Sequence, residues 1–178
     1  MSTVALRAFE ALDLSAVLPW FAHPDQRAFA DDLPVRELEL RPTSPGTEHC
    51  GARVLARHAW VADDEAGVPV AFAGAEIYDR PPFLGADGRP KRPSPTWRGS
   101  TAGLMLCVDP ARWGGGYGRA TLLAVASAEE VADADYLVGG IETGHQASQR
   151  CVAAAGFVPA ASKPDREGMV DWIRRPTR

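Results

Sequence analysis

Leu104-Met-Leu-Cys-Val-Asp-Pro-Ala-Arg-Trp-Gly-Gly-Gly-Tyr-Gly-Arg-Ala-Thr121 is the stretch on which the fold turns. Leu104 to Val108 is a short apolar run bounded by Asp109 and Pro110, the pattern of a buried strand that stops at a turn. Gly114, Gly115, Gly116 and Gly118 follow, and the sequence after them is helix-forming. The order is strand, glycine loop, helix. Glycines accept positive φ and let a ligand come close to backbone amides, and the first N–H groups of a helix have no intrahelical acceptor. With roughly half a positive charge at the helix start, such a loop suits a phosphate or pyrophosphate. Arg112 and Arg119 flank it and carry the right charge to pair with phosphate oxygens.

Two nucleotide motifs are not met. A P-loop needs Lys and then Ser or Thr after its last glycine, but Gly118 is followed by Arg119 and Ala120, and no register of these glycines supplies Gly-x-Gly-x-x-Gly. On the glycines alone, a flexible connection without a ligand stays open beside the anion site.

Working outward, Gly118 to Ala134 is rich in Ala, Leu and Glu and predicts a helix, Tyr136 to Ile141 a second buried strand, and Ala147 to Ala155 a second helix stopped by Gly156. A β-α-β-α unit of this kind places two strands side by side in parallel. Gly168 to Ile173 alternates and predicts a last strand. Upstream, Thr3 to Phe9 reads as a first strand, Asp13 as the N-cap of a helix from Leu14 to Phe21, and Pro24 as the start of a short helix through Ala30. Arg53–Ala62 and Val68–Tyr78 form a hairpin across the polar turn Asp63–Gly67. Arg80 to Ser100 holds Pro81, Pro82, Pro90, Pro93 and Pro95, which leaves a long loop, either a substrate lid with Phe83 and Trp97 as apolar groups to close with or a mobile insertion.

A length of 178 residues suits one domain, residues 1–178, with a core that needs no staples. Cys50, Cys107 and Cys151 are odd in number and widely spaced, as expected of small buried thiols in a reducing compartment, and no Cys/His spacing suggests a metal. A net charge of -4 disfavours nucleic acid. Arg7, Glu10 and Asp13 interrupt the start, and no apolar run is long enough to span a membrane. The expectation is a cytoplasmic protein with no nucleic-acid or membrane partner.

Beyond the second strand of the β-α-β-α unit stands Glu142-Thr-Gly-His-Gln-Ala-Ser-Gln-Arg-Cys-Val-Ala-Ala-Ala-Gly-Phe157. Here the chain resembles the GNAT superfamily of acetyl-CoA-dependent N-acetyltransferases. That family is marked by Val-x-Pro, then Arg/Gln-x-x-Gly-x-Gly/Ala, then Asn-x-x-Ser on a helix ending in Gly-Phe. The matching residues are Val108 and Pro110, Trp113 to Gly118, His145 to Ser148, and Gly156-Phe157. The order of elements agrees over nearly the whole chain. Trp113 stands where the family often has Arg or Gln, in a Trp-Gly-x-Gly-Tyr form that looks like the branch of ribosomal-protein and aminoglycoside acetyltransferases, and His145 stands where it usually has Asn.

The resemblance implies a mixed α/β fold, a mostly antiparallel sheet with one parallel strand pair flanked by helices. It implies acetyl-CoA as cosubstrate, the backbone of Leu106, Cys107 and Val108 pairing with the pantetheine arm, and Arg112, Trp113, Gly114, Gly115, Gly116, Tyr117, Gly118 and Arg119 around the pyrophosphate, with His145 and Ser148 also at the cofactor. Acetyl transfer to an amine would then follow by direct attack in a ternary complex. Glu142 is the first candidate for base and Glu76 the second. His145 is a further candidate base or a helix cap standing in for Asn, and Ser148 a donor to the leaving thiolate or an ordinary first-turn serine. The tyrosine acid of some branches falls at Val152, so that role is absent, and Cys151 reads as a buried thiol. The expected acceptor is a small-molecule amine, with a protein or peptide acceptor and a non-catalytic acyl-CoA-binding protein as alternatives, in a monomer or homodimer.

Overall fold

A computed structural model describes residues 2–27, 46–82, 89 and 98–177. In chain order, β1 (Ala5–Ala8) leads through a 3-10 turn at Ala11–Asp13 into α1 (Leu14–Phe21) and α2 (Pro24–Arg27). Then come β2 (Glu48–His49), β3 (Ala52–Asp63), β4 (Pro69–Tyr78) and β5 (Thr101–Val108). After these stand α3 (Tyr117–Val125), β6 (Tyr136–Glu142), α4 (Gln146–Ala154), β7 (Val158–Pro159) and β8 (Met169–Arg174). The sheet order is β1-β3-β4-β5-β6-β8-β7, with β2 paired to the start of β3. All of these pairs are antiparallel except β5–β6, which is parallel. The predicted hairpin is β3–β4, and the predicted parallel pair is β5–β6.

Strand periodicity sends alternate side chains to two different cores. On one face Ala73, Ala75, Ala102, Trp60 and Leu137 meet Leu122 and Val125 of α3, Val152 of α4 and Ala155 just beyond it. On the other, Val61, Phe72 and Cys107 meet Val17 and Trp20 of α1, with Phe9 and Phe21 edge-on to Phe72 at 5.4 and 5.9 Å. Full burial of a side chain such as Val17 contributes about 1.5–3 kcal/mol. Burial also pushes the Cys107 thiol up to about 12, with Asp109 adding to the effect. Cys50 and Cys151 are only half-buried, and Cys50 adopts a positive φ of 50°, which nothing in its sequence context signals.

Three expectations are corrected. Asp13 does precede α1, but its carboxylate makes no bond to that helix. It accepts from Nη1 and Nη2 of Arg7 at 2.8 and 2.7 Å and from the Glu10 amide at 2.9 Å, while Arg7 Nε reaches Asp63 at 2.8 Å. The bond from Arg7 holds the Asp13 carboxyl below the usual range against the opposing effect of burial. The helix expected to run to Ala134 ends at Val125; Ala128 turns extended, and a 3-10 turn at Glu129–Val131 follows. Helix propensity is overridden there by the burial of Val131 and Ala134 and by the return of the chain to the start of β6. The extended run from Phe157 shortens to β7. Residues 28–45, 83–88 and 90–97, which include Phe83, Trp97 and most of the prolines of the expected loop, lie outside the described residues.

Candidate functional site

β5 and β6 pair over three residues and then part. Thr101, Ala102 and Gly103 are in register with Tyr136, Leu137 and Val138, yet β5 continues to Val108 and β6 to Glu142. The outer sides stay paired, β5 to β4 through Val108 and Ala71, and β6 to β8 through Glu142 and Met169. A wedge therefore opens in the middle of the sheet, closed at Gly103 and Val138 and widest beyond Val108. Among the described residues no ladder joins the two walls beyond Gly103 and Val138, and an extended chain can pair with such strand edges as an added strand.

The glycine loop sits over the wide end. Gly114 and Gly116 have φ of 76° and 82°, conformations that disfavour a side chain, and Gly116 caps α3 in the left-handed region with no side-chain oxygen on the first turn. The leading amides of α3 are thus left to an external acceptor. The indole of Trp113 donates to the Val108 carbonyl at 3.0 Å, which pins the loop to the end of β5, and its ring meets His23 edge-on at 5.0 Å. That tie gives the tryptophan a structural role. Arg112 lies 3.5 Å from Asp64 and over the Tyr117 ring at 5.9 Å, and Arg119 Nε donates to the Ala154 carbonyl at 2.9 Å. Ser2 donates to the Gly115 carbonyl, a contact the sequence did not signal.

α4 approaches the wedge from the β6 side. A Cβ built on Gly118 would stand 2.9 Å from Cys151 Sγ, 3.3 Å from Val108 Cγ2 and 3.5 Å from Leu106 Cδ2, so the two helices meet over β5 through this glycine. Ser148 lies one turn before Cys151, and its Oγ is 3.3 Å from His145 Nε2. His145 occupies the N-cap of α4 without a side-chain capping bond, so it does not cap the helix as an Asn would. Burial lowers its pKa while Glu142 pulls the other way. Gln149 donates to the Glu142 and Thr143 carbonyls at 3.1 and 2.9 Å, fixing the end of β6 to the helix.

The two carboxylate candidates are far apart along the sheet. Glu142 is exposed at the end of β6, four residues beyond Val138, about 13 Å at a rise of ~3.3 Å per residue. Glu76 lies directly across from Gly103, level with the closed end of the wedge. It accepts from the Arg57 guanidinium and from the Tyr78 hydroxyl, and burial first, then the Glu76 contact, keep Tyr78 a phenol. Arg57 comes to Glu76 only through the β3–β4 register, whereas Tyr78 stands two residues along β4 and shares the face of Glu76 by strand periodicity. Among the described residues no cluster of three or more His, Cys, Asp or Glu offers a metal site, and no helix is long and apolar enough to cross a membrane.

No protein-family model and no curated protein sequence matches the chain. Solved structures do. An aminoglycoside acetyltransferase, AAC(6')-Ib, in complex with coenzyme A and kanamycin aligns with a TM-score of 0.65 at 14% identity over 97% of this chain and 95% of that one. A GCN5-related N-acetyltransferase from Kribbella flavida aligns at 0.64 and 18% identity over 98% of each chain. The GNAT domain of S. lividans PAT aligns at 0.62 and 15% identity, over 96% of this chain and 89% of that one. Across nearly its whole length, the chain has the fold of the GCN5-related N-acetyltransferases, the GNAT superfamily.

Proposed function

We propose that the chain transfers the acetyl group of acetyl-CoA to the primary amine of a small molecule by direct attack in a ternary complex. One observation carries this: the wedge between β5 and β6 lies below the glycine-loop start of α3, so an extended arm and a pyrophosphate have adjoining places. The edge at Leu106, Cys107 and Val108 pairs with the arm, and the amides from Gly114 to Arg119 hold the pyrophosphate. Acetyl-CoA supplies an activated thioester. The similarity to an aminoglycoside acetyltransferase bound to coenzyme A and kanamycin supports a small-molecule amine as acceptor.

An alkylamine with a pKa near ~10 is almost wholly protonated at neutral pH. Positioning lowers the barrier by about 7–11 kcal/mol, and a general base adds roughly 10²- to 10⁴-fold, so a modest base or water suffices. Glu142 and His145 stand at the open end of the wedge, so a proton leaving an amine at the closed end reaches them only through water, and Ser148 offers its hydroxyl to the donor. The test is thiol release from acetyl-CoA with a panel of primary amines that includes kanamycin. Amine-dependent release is expected; acetyl-CoA binding without release by any amine would leave an acyl-CoA-binding protein and overturn the enzyme.

A further inference from the structure

We propose that Glu76, braced by Arg57 and Tyr78, is the anion that receives the acceptor as a primary ammonium. The inference rests on acetyl-CoA occupying the wedge. An arm that follows Val108 inward to Leu104 ends where β5 and β6 close, at Gly103 and Val138. Glu76 is the cross-strand partner of Gly103, and its side chain stands on the sheet face away from α3 and α4. Gly74 and Gly103 flank Glu76, a Cβ on Gly74 would meet nothing closer than 3.7 Å, and the vacancy at Gly103 is filled by the Tyr78 ring at 3.1 Å.

The placement of the charge is informative. Apolar clusters lie to either side on the same face, Phe72 and Cys107 under α1 and Ala52, Val54 and Tyr78 at the other end. A half-buried Arg–Glu pair between them gains little stability over an apolar pair of equal volume, which leaves room for a role in binding. The Glu76 and Arg57 side chains retain 18% and 22% exposure, enough to meet a ligand. A carboxylate has about four acceptor sites. Arg57 and Tyr78 each engage one oxygen of Glu76, and the second lone pairs suit the N–H donors of an ammonium. Glu142, at the far end of β6, has no such position relative to the closed end of the wedge.

The experiment compares wild type with Glu76→Gln and with the apolar double variant Arg57→Met/Glu76→Met, after thermal melts and acetyl-CoA titration have shown each to be folded and loaded. Probe acceptors are phenethylamine and kanamycin, cationic at neutral pH, and aniline, which is neutral. Both variants are expected to lose about tenfold or more in kcat/KM on the cationic probes, mainly through KM, as for a lost hydrogen bond to a charged group, with aniline unaffected. Where wild type takes only the cationic probes, the same rise in KM supports the proposal and a loss confined to kcat overturns it. Unchanged kinetics, equal losses on aniline, or a loaded wild type that acetylates none of the cationic probes also overturn it. Failure of wild type to bind acetyl-CoA is a different result, and it removes the donor site itself.

Discussion

Gly118→Ala tests the contact on which the alignment of α3 and α4 depends. The added methyl would stand 2.9 Å from Cys151 Sγ and 3.3 Å from Val108 Cγ2, where apolar atoms ordinarily rest about 3.5–4.0 Å apart. The sulfur sits on a half-buried side chain with α4 behind it, so relief requires moving the helix or forcing a rotamer. Such overpacking costs about 1–3 kcal/mol, offset by about 1 kcal/mol for Ala over Gly in a helix, which leaves a net loss of about 0–2 kcal/mol. Cys151→Ala alone removes a few contacts and costs about 1 kcal/mol. Combined, the new methyl takes the space of the sulfur, and the double variant should be more stable than the sum of the two losses by about 1 kcal/mol. Urea unfolding followed by tryptophan fluorescence, with unchanged m-values, measures all four corners of the cycle. Losses additive within about 0.5 kcal/mol would refute the packing described.

Asp13→Asn should cost about 1.5–3 kcal/mol at neutral pH, the usual loss for hydrogen bonds to a charged group. Because the folded pKa of Asp13 is depressed, that contribution is present above the unfolded value of about 3.9 and fades as pH falls through the folded one; urea midpoints of variant and wild type should converge in acid, and a constant gap would contradict this. His145 shows the opposite case: its pKa is lowered by burial, so the unfolded chain binds the proton more readily and stability falls as pH drops below about 6.5. Thermal melts of His145→Gln between pH ~7.5 and ~5.5 should lack that component, and a slope equal to wild type would count against it. The Cys107 thiol, pushed up to about 12, should resist a disulfide reagent at neutral pH until denaturant is added, whereas rapid native labelling at Cys107 would show that strand β5 is less buried than described.

Local pattern made much of this legible. The β3–β4 hairpin declares itself through alternation around Asp64–Gly67, and Gly156 announces the end of α4, where its φ is 84°. The glycine loop and the start of α4 are continuous motifs, so their residues could be named before their geometry was known. What sequence could not supply is whatever depends on register. The parting of β5 from β6 after Gly103, the Arg57–Glu76–Tyr78 group and the Gly118–Cys151 contact each join residues from different strands or helices. Trp113 makes the same point: as a letter it departs from the family pattern, and only its bond to Val108 explains it. The overlong helix expected through Ala134 failed because an Ala-rich run cannot report that Val131 is needed in the core.

The donor site is tested most directly by isothermal titration of acetyl-CoA into wild type and into Gly116→Trp, whose large side chain would enter the glycine loop at a position with φ of 82°. Micromolar binding by wild type, lost in a variant whose circular dichroism and melting show it folded, is the predicted result. A folded wild-type protein that gives no binding heat at any temperature tried would contradict it, and the wedge between β5 and β6 would then be a feature of the fold without a cofactor.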